Sequence, residues 1–167
     1  MQSAFYISAL SYLLLFLTLK SEVKGLVGKI GLILLLISFI GTVGVGIFVT
    51  DPYPPDFTIT KTLLHTISGT LAMFLFPIGL LLLALNISKR NESWTNYKST
   101  LKFIGFMPLL AFIGFNIHLN LFVIPLGEGA VGENVPIGYP PRIMFLVYHI
   151  SLIAIAYLFI KQQLKNK

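Results

Sequence analysis

The chain has 167 residues, of which 56% are hydrophobic and 11% charged, with a net charge of +6 and a mean hydropathy of +0.86. An average soluble domain carries about 25% charged residues, and a chain of this size has too little interior to hide so much apolar surface from water, so a soluble globular domain and a disordered chain are both excluded. The sequence has no cysteine, which removes a disulfide framework, a thiolate metal site, a covalently attached c-type haem and a cysteine nucleophile.

Five apolar stretches are long enough to cross a bilayer core of about 30 Å, at about 3–19, 28–50, 62–87, 103–125 and 143–160. Backbone polar groups in lipid must be satisfied within their own segment, so these spans are read as helices. The prediction is an all-α polytopic transmembrane helix bundle, with 1–167 forming a single integral membrane domain. The first span is read as a retained helix with its N-terminus outside rather than a cleaved signal. Met1 to Leu19 holds no Lys or Arg, and the first basic residues, Lys20 and Lys24, follow the apolar run.

The second span ends in Asp51-Pro52-Tyr53-Pro54-Pro55, where proline stops the helix. The third loop carries Trp94 and Tyr97, read as anchors at the cytoplasmic headgroups, with Tyr6, Phe57 and Tyr139 as outer counterparts. The segment from Leu126 to Arg142 is rich in Gly and Pro and contains Gly127-Glu128-Gly129-Ala130-Val131-Gly132. That string matches a dinucleotide fingerprint, but it follows an apolar span instead of a strand, so it is read as coincidence. No HExxH, GxSxG or Walker motif occurs, and no internal repeat is visible.

The basic residues alternate with the spans. Lys20, Lys24, Lys29, Lys89, Arg90, Lys98, Lys102, Lys161, Lys165 and Lys167 fall on one side, ten of the twelve, and only Lys61 and Arg142 on the other. By the positive-inside rule the N-terminus is outside and the C-terminus cytoplasmic. The charge is therefore a topology signal and not a nucleic-acid surface. On this topology Asn86-Ile87-Ser88 and Asn91-Glu92-Ser93 lie on or near the cytoplasmic side and are not glycosylation acceptors.

Small residues that let helix backbones approach occur as Gly41, Gly44 and Gly46, as Ser68, Gly69 and Ala72, and as Gly105, Ala111 and Gly114. Pro77 and Pro108 fall within the third and fourth spans, where each removes a backbone donor. His65, His118 and His149 all fall within spans, at depths of about 5 to 10 Å below the outer boundary at 1.5 Å per residue. Ionisable groups in lipid tend to face the bundle interior and to mark function. His65, Ser68, Gly69 and Ala72 share one face of the third helix, expected to be interior. Asn116 and Asn120 share a face of the fourth, while His118 points about 160° away from both. On the fifth, His149, Leu152, Ile153 and Ala156 make one stripe, with Tyr148 and Ser151 beside it.

Three readings of this outer layer stand side by side. Each histidine makes its own interhelical hydrogen bonds or sits in the wet interface. Alternatively, the layer binds a cofactor: haem b between two histidines, or a divalent metal held by three imidazoles. In the third reading the histidines serve a proton-linked role beside Asp51 or Glu128. Asp51 and Arg142, at the outer ends of their helices, complete the layer, and Asp51 is placed to pair with His65 or Arg142.

The stretch Gly46-Ile47-Phe48-Val49-Thr50-Asp51-Pro52, followed by His65 opening a long apolar helix, resembles an uncharacterised bacterial membrane family, domain of unknown function nine-nine-eight. Its members carry a similar Gly-x-Phe-x-x-Asp-Pro stretch and a His at the next helix start. They also have a Gly-rich segment with an Arg before the last helix, which Gly138-Tyr139-Pro140-Pro141-Arg142 resembles. Many members have six spans, so this chain departs by lacking a first helix. The resemblance covers most of the chain, implies a multi-pass protein of a bacterial cytoplasmic membrane, marks Asp51, His65 and Arg142, and supplies no activity.

The function expected is that of a small non-enzymatic bundle that senses or accompanies other membrane components. The alternatives are a haem or metal protein using His65, His149 and His118, and a small transporter, channel or proton-linked sensor. The lipid bilayer is the expected partner. The lipid-facing surface of five helices also leaves room for a homodimer or a membrane-protein partner.

Overall fold

The computed structural model describes residues 2–49, 59–90, 92–125 and 139–165, and among them every element is helical. Helices α1 (Gln2–Leu19), α2 (Gly25–Ile47), α3 (Ile59–Arg90), α4 (Lys98–His118) and α5 (Tyr139–Lys165) follow the five predicted spans, with a 3-10 turn over Glu92–Tyr97 and a π-turn over Leu119–Val123. Five segments are long and apolar enough to cross a membrane, so this is a multi-pass membrane protein. Helices α2 to α5 each begin a few residues before the predicted apolar stretch, because a helix carries polar residues into the headgroup region, while α2 ends at Ile47, short of the predicted 50, and α4 gives way to the π-turn after His118.

Each helix packs against the next in chain order, and the ring closes most sparsely between α5 and α1. The α1–α2 connector, the 3-10 turn and the end of α5 lie at one end, called here the basic end. The start of α1, the end of α2 and the starts of α3 and α5 lie at the other, the histidine end.

The densest seam joins α2 to α3. Buried residues of α2 include Gly28, Gly31, Leu35, Ser38, Thr42 and Val45, spaced alternately three and four apart. This is the pattern of helices crossing at a shallow angle, and four of these positions are Gly, Ser or Thr. A methyl added at Gly41 would sit 2.7 Å from the main-chain oxygen of Ser68, and one at Gly31 would sit 3.0 Å from that of Gly79. Backbone meets backbone along this seam. Ser38 Oγ donates to Ala72 O across it at 2.9 Å.

Aromatic rings fill the centre. Tyr12 stacks on Phe76 with centroids 4.5 Å apart, and Phe76 lies against Tyr148 at 4.7 Å. Pro77 has no N–H, so the carbonyl four residues earlier, Met73 O, lacks its helical donor. Tyr148 Oη donates to that oxygen at 2.8 Å. The inner face of α5 runs through Met144, Tyr148, Ser151, Ile155, Leu158 and Gln162.

At the basic end α1 closes at Leu19, and α2 begins at Gly25, whose φ of 80° lies in the left-handed region that glycine tolerates. The buried Asn86 side chain fixes this turn. Its Oδ1 accepts from Lys24 N–H at 3.2 Å and its Nδ2 donates to Lys24 O at 2.7 Å. Trp94 is 0% exposed and donates through Nε1 to Glu22 Oε2 at 3.0 Å. The expectation of a headgroup anchor at Trp94 is therefore corrected: the indole plugs the bundle, because the 3-10 turn folds it inward against Phe159. Tyr6 and Tyr139 are exposed at the histidine end, and Phe57 lies outside the described residues.

Candidate functional site

His65 stands in the second turn of α3, half-buried, and its Nδ1 lies 2.6 Å from Phe48 O, just past the end of α2. A carbonyl only accepts, so Nδ1 carries a proton in this bond, which leaves Nε2 as the lone-pair nitrogen whenever the ring is neutral. His149 bonds through Nδ1 to Phe145 O of its own helix at 2.7 Å, and through Nε2 to Ser8 Oγ of α1 at 2.9 Å. Ser8 Oγ is also 2.9 Å from Ala4 O, so one hydroxyl proton has two acceptors in reach.

The three histidines do not meet. His118 lies against Phe122, with ring centroids 5.3 Å apart, and its buried Nε2 has no hydrogen-bond partner among the described residues. It sits at the junction of α4 and the π-turn. Among the described residues no group of three His, Asp or Glu side chains is placed to hold a metal ion. His149 has both ring nitrogens engaged, and His65 has one, so the pair does not present two free imidazole nitrogens to a haem or metal. The three-imidazole metal site expected from matched depth is not formed among the described residues. Depth along a span does not fix the direction in which a side chain points.

The rest of the expected polar layer is dispersed. Ser68 packs across the seam from Gly44. Tyr148 belongs to the buried aromatic centre and bonds Met73 O. Asn116 and Asn120 donate to carbonyls four residues back, Phe112 O and Asn116 O, each at 2.8 Å. Asn116 is half-buried and Asn120 exposed. Arg142 is exposed, its guanidinium 6.0 Å from the Tyr139 ring centroid. Asp51, with Glu128 and the Gly-rich stretch before Tyr139, lies outside the described residues.

What His65 and His149 do share is a chamber. A cavity of about 140 Å³ is lined by His65, Gly69, Ala72, Met73 and Val45, together with Phe5, Thr42 and Phe145. A second, of about 200 Å³, is lined by His149, Ser8, Ala4 and Tyr12, with the same Phe5, Thr42 and Phe145. These three common residues form the wall where the two cavities adjoin at the histidine end, and the pair is called here the two lobes of a chamber. Beyond His65, Gly69 and Met73 a wider cavity of about 390 Å³ opens between α3 and α4, bordered by Asn116. Below the Ser8–His149 bond a separate apolar groove of about 230 Å³ lies between α1 and α5, from Ser11 and Leu152 to Thr18 and Phe159. Toward the basic end the axis of the bundle is filled by Phe76, Leu80, Leu83, Ile87 and Trp94, all buried.

Ser8, Thr42, Phe5 and Phe145 are site residues that the sequence reading missed. Ser8 and Thr42 had a usable signal, as hydroxyls in apolar spans near the depth of the histidines. The phenylalanines had none, being two among 14.

The Ser8–His149 contact has the distance of a nucleophile and its base, but it lacks the other parts of that machinery. Ser8 lies inside a helix, where main-chain N–H groups are spent on the helical ladder and cannot form an oxyanion hole. The bond therefore ties α1 to α5.

No curated protein and no solved structure matches the chain. Residues 1–158 match the family described as "Protein of unknown function (DUF998)". This match covers the first four helices and most of the fifth, with the chamber and its two histidines, and the chain belongs to that family.

Proposed function

We propose that this protein is a non-enzymatic sensor or accessory bundle of a bacterial cytoplasmic membrane, and that it acts by holding a small ligand in the chamber between His65 and His149. One observation carries the reading: two lobes sharing Phe5, Thr42 and Phe145, apolar on most walls, with a few convergent polar groups. Ligand sites have this composition, mostly apolar with a small number of placed polar atoms. The ten basic residues of the connectors and C-terminal tail support a cytoplasmic basic end. In that orientation the N-terminus is outside and the chamber lies in the outer half of the bilayer, open to molecules arriving from lipid.

The test is native mass spectrometry of the full chain released from nanodiscs, comparing the unaltered protein with Gly69→Leu. A methyl at Gly69 meets only Val45, at 3.8 Å, and Gly69 lines the chamber, so leucine is placed there to fill it. The unaltered protein is expected to retain a bound small molecule that the variant loses. Equal retention by both, with the variant correctly folded, would refute the reading. Reporter fusions at either terminus check the orientation: a reporter active at the C-terminus only in the periplasm would reverse it.

A further inference from the structure

The hydrogen-bond inventory of the chamber says what kind of head group it takes, and this inference rests on the reading of the chamber as a ligand site. Its polar lining consists of Ser8, Thr42, His65 and His149 with the Tyr12 hydroxyl at one edge. Thr42 spends its hydroxyl proton on Ser38 O at 2.8 Å. His65 spends its Nδ1 proton on Phe48 O, and His149 spends its own on Phe145 O. Ser8 has its single proton claimed by Ala4 O and His149 Nε2. What remains is lone pairs, chiefly on Thr42 Oγ1 and His65 Nε2, and one donor, the Tyr12 hydroxyl, whose proton goes to no acceptor among the described residues. A head group that satisfies this lining both brings a hydrogen and accepts one.

Hydroxyl, amide and ammonium head groups all bring hydrogens, and of these the hydroxyl is the smallest that is both donor and acceptor. Among the described residues the lining holds no carboxylate, and an uncompensated cation inside an apolar wall is strongly disfavoured. A carboxylate head would meet lone pairs and no fixed cation. An uncharged hydroxyl fits. The groove between α1 and α5 begins one turn below the Ser8–His149 bond and is lined by leucine, isoleucine and alanine, with the hydroxyls of Ser11 and Thr18 folded back on Ile7 O and Leu14 O. It accepts a chain and offers no polar contact.

We infer that the chamber binds the hydroxyl head of an uncharged single-chain amphiphile whose tail lies in the α1/α5 groove.

The experiment uses the full chain in phosphatidylcholine vesicles and four probes carrying the same mid-chain diazirine: octadecan-1-ol, its methyl ether, octadecanoic acid and octadecylamine. The alcohol is expected to label α1 and α5 saturably, to be displaced by unlabelled octadecanol, and to bind about tenfold more tightly than the ether, which has no hydrogen to give. Thr42→Val removes one acceptor at constant shape and is expected to narrow the gap between alcohol and ether. The alcohol–ether comparison in the unaltered protein decides the matter even if that variant fails to fold. If ether, acid or amine labels as well as or better than the alcohol, and Gly69→Leu blocks that labelling, the chamber stands and the hydroxyl assignment falls. If every probe labels α1 and α5 equally with and without Gly69→Leu, the groove holds only bulk lipid and the chamber reading falls with it.

Discussion

Tyr148 completes a hydrogen bond that Pro77 cannot make. The proline leaves Met73 O without a helical donor, and the tyrosine hydroxyl from α5 supplies one at 2.8 Å. Tyr148→Phe should therefore cost about 1–2 kcal/mol, read as loss of thermal stability in detergent, since a buried carbonyl is orphaned. In a Pro77→Ala background residue 77 regains its N–H, and the same substitution should cost close to nothing. Equal costs in the two backgrounds would show that the hydroxyl is not compensating for the proline.

Gly41 of the α2–α3 seam and Gly114 of α4 should behave oppositely. Gly41→Ala places a methyl 2.7 Å from Ser68 O, a backbone atom that cannot move aside alone, so the helices must separate. Gly114→Ala meets nothing within 4 Å. We expect the first to lower the melting temperature clearly and the second to leave it unchanged or slightly raised, as alanine favours helix by about 1 kcal/mol over glycine. The melting temperatures of the two variants measured side by side decide it.

Trp94 should be among the most sensitive positions outside the chamber. Trp94→Ala removes a fully buried indole and its bond to Glu22, with an expected cost of about 3–5 kcal/mol. Trp94→Phe keeps most of the packing and loses the donor. Glu22→Gln keeps an acceptor oxygen, so it should be milder than Trp94→Phe. Intrinsic fluorescence is a direct readout, because the chain has one tryptophan. A buried indole emits at shorter wavelength than one in the headgroups, and a long-wavelength maximum would place it at the surface instead.

The Ser8–His149 bond should couple two distant parts of the chain. A double-mutant cycle of Ser8→Ala and His149→Phe is expected to give about 0.5–1 kcal/mol of interaction, the range of single side-chain bonds between membrane helices. Additive effects would mean that Ser8 spends its proton on Ala4 O alone.

Hydropathy and charge made the five helices legible, because lipid forces every apolar run of sufficient length into the same backbone solution. The small residues of α2 were legible as packing positions: Gly41, Gly44 and Gly46 each meet another helix at close range. The direction of single polar side chains was not. His118 and His149 share a depth, yet one turns to Phe122 and the other to Ser8, since rotation about the helix axis is set by which neighbour packs there. Trp94 was misplaced for a related reason. Composition gives an interfacial tryptophan, and only the 3-10 turn that carries it shows that the ring folds under the bundle.

The Ser8–His149 bond spans 141 positions of sequence. Tyr12, four residues further on, rests on Phe76 and through it on Tyr148. Helix α1, seated mainly on α2, thus gains its link to α5 only once α5 has entered the bilayer, while α2 and α3 zip together as neighbours in between. The chamber comes into being with that final docking step, so a ribosome stalled before α5 leaves a tightly joined hairpin and no place for a guest.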